Sequence, residues 1–167
     1  MWTRALLISL AMALSNAPAA YEIEGRVTAL NYDFGRYAEF NVNLYQIGVS
    51  KFYGDTGVSV LVGESDRDSH GRNTGEVKNF WVMSLEHRFR LSDQLSLSVR
   101  YNYTEYKSAL NGRFNPDTGS GFGVGIIHRL SRDYSVKLSY DDYYRKAQPE
   151  IGGEKTYGAG VSFTRHY

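Results

Sequence analysis

A regular alternation of apolar and polar residues runs through nearly the whole chain. The stretch LSLSVRYNYTEY at 95–106 sends leucine, valine and tyrosine side chains to one face, and serine, arginine and asparagine side chains to the other. A period of two is typical of β-strands with one apolar face, whereas the helical spacing of three and four is hard to find here. The alternation therefore predicts an all-β fold.

Eight segments of the chain carry this alternation, and the connections between them alternate in length. Short turns at 54–57, 92–94 and 131–133 follow every second strand. Longer polar segments rich in Gly, Asn, Asp and Pro, which mark loops, follow the others. These longer loops are expected at 33–39, 66–76, 108–121 and 147–155. The predicted strands are 21–32, 40–53, 58–65, 77–91, 95–107, 122–130, 134–146 and 156–167.

The second of these strands departs from a clean alternation. Its apolar set passes from Val42 and Leu44 to Tyr45 and Ile47, so the apolar face changes between Leu44 and Tyr45. One extra residue in a strand turns every later side chain to the opposite face. We therefore expect a β-bulge at this point of the strand.

The alternation fits either a soluble β-sandwich or a membrane barrel, and two features favour the barrel. Tight turns at one end and long loops at the other, across an even number of strands, are typical of transmembrane barrels. Aromatic residues also gather at both ends of the apolar face, as they do in the girdles at lipid–water interfaces. They are Tyr21, Tyr53, Phe89, Tyr134 and Tyr167 near the short turns, and Tyr103, Phe122 and Tyr157 near the long loops.

The predicted fold is an eight-stranded antiparallel up-and-down transmembrane β-barrel. Lipid cannot hydrogen-bond to backbone groups, so the sheet must close by pairing the last strand with the first. The final stretch, YGAGVSFTRHY, alternates up to its terminal tyrosine, as a closing strand would. A terminal aromatic residue behind alternating apolar residues also resembles the signal read by the outer-membrane assembly machinery. The residues of this expected signal are Tyr157, Ala159, Val161, Phe163 and Tyr167.

Residues 1–19, MWTRALLISLAMALSNAPA, have the layout of a secretory signal peptide. Their apolar run is shorter than the roughly 20 residues of a spanning helix, which is the alternative interpretation. The barrel domain is therefore expected at 20–167. Without Arg4 the remaining chain holds equal numbers of basic and acidic residues, which argues against a nucleic-acid partner. The chain contains no cysteine, so it forms no disulfide.

Polar residues on the second face of the strands are expected to line the barrel interior. Eight strands enclose a space just wide enough to be filled by side chains. Charges of both signs should pair there, because an isolated buried charge is costly. A narrow ion path is the alternative interpretation. The expected network comprises Glu22, Glu24, Arg26, Lys78, Glu86, Arg88, Arg90, Arg100, Arg129, Lys137, Asp141 and Arg145.

Three stretches of the chain resemble the strand–turn–strand units of the small Ail/OmpX-type outer-membrane proteins, within the wider superfamily of porin-family and opacity-type barrels. These stretches are FWVMSLEHRFRLSDQLSLSVRYNYTEY, GFGVGIIHRLSRDYSVKLSYDDYY and YGAGVSFTRHY. The resemblance covers the barrel domain in strand count, length and loop placement. It implies a surface-exposed barrel in the bacterial outer membrane, which some members use for adhesion or for defence against host factors.

The spacing of histidine and serine residues does not predict a catalytic site. His128 and Ser131 lie three residues apart, which places them on opposite faces of a strand, and His166 lies at the short-turn end. We predict that the chain is not an enzyme and uses no cofactor or metal. A lipid-A-modifying barrel enzyme and a narrow pore are the alternatives to an envelope-structural or adhesive role.

The expected partners are outer-membrane lipid and lipopolysaccharide, the outer-membrane assembly machinery, and host or surface proteins. Contacts with surface partners are expected through the loops at 66–76, 108–121 and 147–155, which carry charges of both signs. We expect the protein to be a monomer in the outer membrane of a Gram-negative bacterium.

Overall fold

The computed structural model describes residues 19–33, 39–70, 73–111, 113–143 and 156–167. The predicted signal peptide up to residue 18, the 147–155 loop and Arg145 lie outside the described residues. No helix among the described residues is long and apolar enough to cross a membrane. The strands are β1 (Ala20–Asp33), β2 (Glu39–Tyr53), β3 (Thr56–Ser65), β4 (Arg67–His70), β5 (Asn73–Arg90), β6 (Leu95–Leu110), β7 (Arg113–Arg129), β8 (Tyr134–Asp142) and β9 (Thr156–His166).

These strands close into a barrel. Strand β1 pairs with both β2 and β9, and β3 pairs with both β2 and β5, so the sheet has no open edge along its main length. Strands β3 and β4 both pair with β5 and are separated by Asp66 alone, so together they form one continuous strand of the barrel wall. We call each such continuous strand of the wall a stave. The wall therefore consists of eight antiparallel staves, and the predicted barrel fold is confirmed.

Two of the expected long loops are mostly strand, so the prediction of loops at 66–76 and 108–121 is wrong. Strand β4 pairs with β5 from Arg67 opposite Glu76, and β6 pairs with β7 as far as Leu110 opposite Arg113. Asn111, with a φ of 53°, begins the turn between β6 and β7. Backbone pairing across each hairpin prevails over the turn-forming composition of these segments, and the hairpins lengthen the barrel wall.

The bulge expected in β2 is absent. The register of β2 runs without interruption against β1 and against β3. Val42 and Leu44 point into the barrel, while Tyr45 and Ile47 point outward. The apolar set changes face because the barrel interior itself changes from polar to apolar along this strand, and not because the strand turns over.

A bulge occurs instead in β5, at Asn79. The register between β5 and β6 shifts between Lys78 and Trp81, and Asn79 has a φ of 51°. The extra residue leaves both Val77 and Phe80 buried on the inner face. The prediction that Lys78 lines the interior is therefore wrong, because the bulge turns it outward. Its Nζ lies 3.7 Å from Glu76 Oε2, and its side chain is 43 % exposed.

Apolar side chains cover the outside of the wall from the short-turn end upward, and we call this surface the lipid belt. Burial of apolar surface is worth about 25 cal/mol per Å², and soluble monomers rarely expose a continuous apolar surface. Exposed aromatic side chains lie at both of its edges, among them Tyr21 and Tyr167 below and Phe122 above. The belt includes Ile23, Val27, Ile47, Val49, Val62, Val99, Val124, Ile126, Leu138, Val161 and Phe163.

The wall continues above the lipid belt as an extension with the opposite polarity. Asn31, Asn41 and Asn43 face outward there, between neighbours that face inward. Inside, Phe80 stacks on Tyr106 with ring centroids 5.4 Å apart. The long-loop end is thus built like a soluble protein. Its apolar interior, which we call the upper core, comprises Leu30, Tyr32, Phe40, Val42, Leu44, Leu61, Val77, Phe80, Val82, Tyr106 and Tyr143.

Replacing Phe80 with alanine should destabilise the barrel strongly. Phe80 is 1 % exposed and contacts the rings of both Tyr106 and Tyr143, so the Phe80→Ala variant leaves a cavity. We expect the free energy of unfolding to fall by about 3–5 kcal/mol in a urea titration of the protein in lipid vesicles. The control is Phe122→Ala on the lipid-facing surface, where no closed cavity forms. An equal loss in both variants would show that the upper core is not tightly packed.

Candidate functional site

The lower half of the barrel interior holds a network of buried charges. Each of these side chains belongs to a residue that is at most 4 % exposed, although each was identified in the sequence only by its place in the alternation. Four negative and three positive groups lie together here, below the upper core. They are Glu22, Glu24, Glu86 and Asp141, with Arg26, Arg100 and Lys137.

Asp141 is the centre of the upper part of this network. Arg100 Nη2 donates to both carboxylate oxygens of Asp141, at 2.8 and 2.9 Å. Arg26 forms a second ion pair with Asp141, and the Asn102 amide donates to it at 2.9 Å. The Asp141 carboxylate therefore compensates two buried guanidinium groups, which reduces the cost of removing all three charges from water.

Lys137 connects the carboxylates of the lower part of the network. Its Nζ lies 3.3 Å from Glu24 Oε2 and 3.2 Å from Glu86 Oε2. Arg88 donates from Nε to Glu86 at 2.7 Å, and from its two terminal nitrogens to both oxygens of Glu22, also at 2.7 Å. Its guanidinium also lies 3.7 Å from the centre of the Phe52 ring. Arg88 thus ties the network to the short-turn end of the barrel.

Glycine residues on the inner face provide the space for these large side chains. A Cβ atom on Gly123 would lie 2.0 Å from Asp141 Oδ1, and one on Gly160 would lie 2.9 Å from Arg26 Nε. The alternating glycines of β7 and β9 therefore leave the room that the arginine and aspartate side chains fill.

The remaining predicted interior residues lie elsewhere. Arg90 and Arg129 follow the inner face of β5 and β7 down to the short-turn end, where both are exposed at the mouth of the barrel. No ion pair of either residue is present in the part of the chain that the structure describes. The mouth therefore carries arginines that the network above does not compensate.

The filled interior does not favour an ion path. A conducting ion would have to pass the paired charges of the lower half and then the upper core, whose side chains are apolar or aromatic. Water and ions are excluded from a closely packed apolar interior of this kind. The network and the upper core together are better described as a plug.

A second arrangement of polar residues, which residue spacing does not predict, lies at the mouth. His166 Nδ1 lies 2.8 Å from Glu22 Oε1, and His166 Nε2 lies 3.0 Å from Ser135 Oγ. These three residues come from β1, β8 and β9, so no spacing along the chain could reveal them. The sequence indicates only that the alternation places Glu22, Ser135 and His166 on the inner face near the short turns.

The outward residues of β9 lie on the lipid-facing surface. Val161 and Phe163 are 53 and 50 % exposed, and Tyr157 and Tyr167 are 37 and 61 % exposed. Ala159 faces outward among them. Their use as a signal for the assembly machinery stays a prediction.

Removing the Asp141 carboxylate should destabilise the barrel more than removing the carboxylate of the adjacent Asp142. The Asp141→Ala variant leaves Arg26 and Arg100 buried without their shared partner, which we expect to cost about 3–5 kcal/mol. Asp142→Ala is the matched control, because Asp142 is exposed on the outside of the wall. Its effect should stay within about 0.5 kcal/mol. Urea titrations in lipid vesicles measure both, and equal midpoints would contradict a role of the network in stability.

Comparison with known proteins identifies the fold. No protein-family model and no curated protein matches the chain. Neisserial surface protein A superposes with a TM-score of 0.71 at 10% identity, covering 87% of this chain and 97% of that one. Ail, the attachment invasion locus protein of Yersinia pestis in complex with the heparin analogue sucrose octasulfate, gives a TM-score of 0.62 at 12% identity, covering 90% and 99%.

The N-terminal β-barrel domain of Pseudomonas aeruginosa OprF gives a TM-score of 0.63 at 15% identity, covering 89% of this chain and 97% of that one. At these identities the likeness concerns the fold. The exposed lipid belt fits a membrane, and bacterial outer-membrane proteins share this fold, in agreement with the predicted location. The chain has the fold of the small eight-stranded outer-membrane β-barrels.

Proposed function

We propose that this protein is a monomeric outer-membrane barrel that holds a rigid extension above the lipid for contacts at the cell surface. The observation that carries this proposal is the change of polarity along the wall. Toward the long-loop end the outside becomes polar, while the inside is apolar from Leu61 and Val82 upward. The long-loop end of outer-membrane barrels faces the outside of the cell, and the short turns face the periplasm.

The outer wall of the extension is organised by hydrogen bonds between staves. Asn43 donates from its backbone nitrogen to Asp66 Oδ1 at 2.7 Å and from its amide to Asp66 Oδ2 at 2.8 Å. The backbone nitrogen of Asn41 donates to Asp68 Oδ2 at 3.2 Å. One backbone hydrogen bond, from Asp66 N to the Asn43 carbonyl at 3.0 Å, adds to these contacts. The β2–β4 side of the extension is thus joined mainly by side chains, because the described residues of β2 and β4 do not pair as strands.

A rigid surface of this kind favours binding. A partner that docks on ordered strands loses less conformational freedom than one that must first order a loop. The wall also offers charges of both signs, since Arg67 lies 3.3 Å from Glu76 across the β4–β5 hairpin. Lipopolysaccharide head groups and host or surface proteins are therefore the partners that we propose. The role is adhesive or envelope-structural.

The two alternative functions have less support. A narrow pore is disfavoured by the upper core, which closes the interior toward the long-loop end. A lipid-A-modifying enzyme needs catalytic groups near the outer leaflet. On the lipid-facing wall of the described chain, His87 bonds to Thr56 Oγ1 at 2.8 Å beside the 54–55 turn, and His128 lies beside the 130–133 turn at the same short-turn end. Neither histidine lies at the depth of the outer leaflet.

Shortening the β6–β7 hairpin should separate assembly from surface contact. Replacing residues 108–115 with an Asn-Gly turn removes the tip of the extension and leaves the membrane-spanning part of both staves. We expect the variant to keep the mobility shift between unboiled and boiled samples on SDS gels, because the barrel still closes.

Binding of cells that express this variant to purified lipopolysaccharide, and to cultured epithelial cells, should fall toward the level of cells without the protein. The control is the Asp142→Ala variant, which changes a surface charge without shortening a stave. Binding equal to wild type in the shortened variant would reject the role of this hairpin.

A further inference from the structure

Three polar side chains at the periplasmic mouth form a chain of hydrogen bonds. The Glu22 carboxylate can only accept, so the contact of 2.8 Å from His166 Nδ1 places a proton on that nitrogen. In a neutral imidazole the other nitrogen, Nε2, is then the acceptor, and Ser135 Oγ lies 3.0 Å from it. The serine hydroxyl therefore donates to a histidine whose tautomer is fixed by a carboxylate.

The barrel architecture produces this arrangement by simple register. Glu22 and His166 are direct cross-strand partners on β1 and β9, and the backbone nitrogen of His166 donates to the Asp133 carbonyl beside β8. Ser135 stands diagonally across from His166 on β8. Three adjacent staves thus place an acid, a base and a hydroxyl in a row on the inner face.

A fourth stave adds a positive charge to this row. Arg129 on β7 is the direct cross-strand partner of Ser135. Opposite residues in an antiparallel pair have Cβ atoms about 4.5–5.5 Å apart. The Arg129 guanidinium can therefore reach the oxygen of a carbonyl group whose carbon is bonded to Ser135 Oγ. Arg129 is exposed, and it forms no ion pair with any residue that the structure describes. It is therefore available to a negatively charged group beside Ser135.

Arg88 fixes the acid of the row. It holds both oxygens of Glu22 at 2.7 Å, so the Glu22 carboxylate has one orientation when it accepts the hydrogen bond from His166 Nδ1. The paired geometry makes Glu22 a positioning residue, which acts through His166. Bidentate arginine–carboxylate pairs are geometrically specific, and this one is linked to the buried network above it.

The row opens onto a vestibule that a small molecule can enter from the periplasm. The vestibule has a volume of about 390 Å³ and is lined by Glu22, Arg129, Ser135 and His166. Pockets for small ligands have volumes of roughly 300–1,000 Å³. The space is closed above by the charge network, so a ligand that enters would be held beside the serine.

In contrast to the prediction from residue spacing that the chain is not an enzyme, we propose that Ser135, His166 and Glu22 form a serine hydrolase site for small, water-soluble carboxylic esters that enter from the periplasm. Ser135 Oγ bonds to the carbonyl carbon while His166 Nε2 takes the hydroxyl proton. Arg129 stabilises the resulting oxyanion. The bond to the leaving alcohol then breaks, and His166 returns the proton to the alcohol oxygen. Water, activated by His166, cleaves the acyl-serine by the same steps and releases the carboxylic acid.

The chain contains its own control for this site. The segments RLSDQLS at 90–96 and RLSRDYS at 129–135 form equivalent turns, in which Arg90 pairs with Ser96 as Arg129 pairs with Ser135. Both serines lie in the vestibule wall. Among the described contacts, His166 bonds to Ser135 and not to Ser96. The two serines therefore have similar backbone positions beside equivalent turns. They differ in that Ser135 contacts His166 and Ser96 does not.

The test is labelling of the folded, purified barrel in detergent with a fluorophosphonate probe, together with hydrolysis of 4-nitrophenyl butyrate. Mass spectrometry should find the label on Ser135, and Ser135→Ala should lose the label and reduce hydrolysis at least about 100-fold. Asp142→Ala, on the outside of the wall, should retain both within about twofold. Ser96→Ala should keep the label on Ser135, because His166 does not contact Ser96. Folding of each variant is checked by the mobility shift on SDS gels before it is assayed.

Two further variants test the assigned roles. His166→Gln should lower hydrolysis about as much as Ser135→Ala, because residues that act as a unit are not additive. Glu22→Gln should lower kcat while KM stays near wild type, which a general loss of structure would not produce. The proposal is overturned if the folded wild-type protein takes no more label than a boiled sample, if Ser135→Ala and Asp142→Ala have the same activity, or if the label is found on Ser96 and not on Ser135.

Discussion

Closure of the sheet is the constraint on which the rest of this structure depends. In lipid a backbone N–H or C=O group without a partner costs several kcal/mol, so a β-structure must pair its first stave with its last. Here β1 and β9 pair from Glu22 opposite His166 up to Tyr32 opposite Thr156. Closure also makes the inside and the outside two separate environments, and every stave must present suitable residues to each of them.

The interior and exterior exchange their chemistry part of the way along the wall. Below, the outside meets lipid, and the inside holds ion pairs such as Arg100 with Asp141 at 2.8 Å. Above, the outside carries asparagine and charged residues, and the inside holds the upper core. The two halves need different stabilising forces, namely paired charges in a closed space below and close aromatic packing above. One set of staves supplies both.

The alternation of residues predicted the fold, because closure and lipid together make period two almost obligatory. It could not predict the details at the point where polarity changes. The apolar shift at Tyr45 looked like a bulge because the sequence does not show that the interior turns apolar. The real bulge at Asn79 placed Lys78 outside, and strand pairing converted the polar 108–121 segment into a hairpin. The contacts among Glu22, Ser135 and His166 depend on register between staves that are distant in sequence, which residue spacing cannot supply.

Because the polarity of the outer wall changes part of the way up, the fit of the barrel to the bilayer does not depend on the full length of the staves. Hydrophobic matching depends on the height of the outward apolar surface, and mismatch costs fractions of a kcal/mol per Å. In this barrel that height ends where Asn31 and Asn43 begin, although β1 and β2 continue beyond them. The staves can therefore grow or shrink above these residues without moving the protein in the membrane. The outward asparagines set the depth of the barrel in the membrane. The hairpins independently set the height of the extension above the membrane surface.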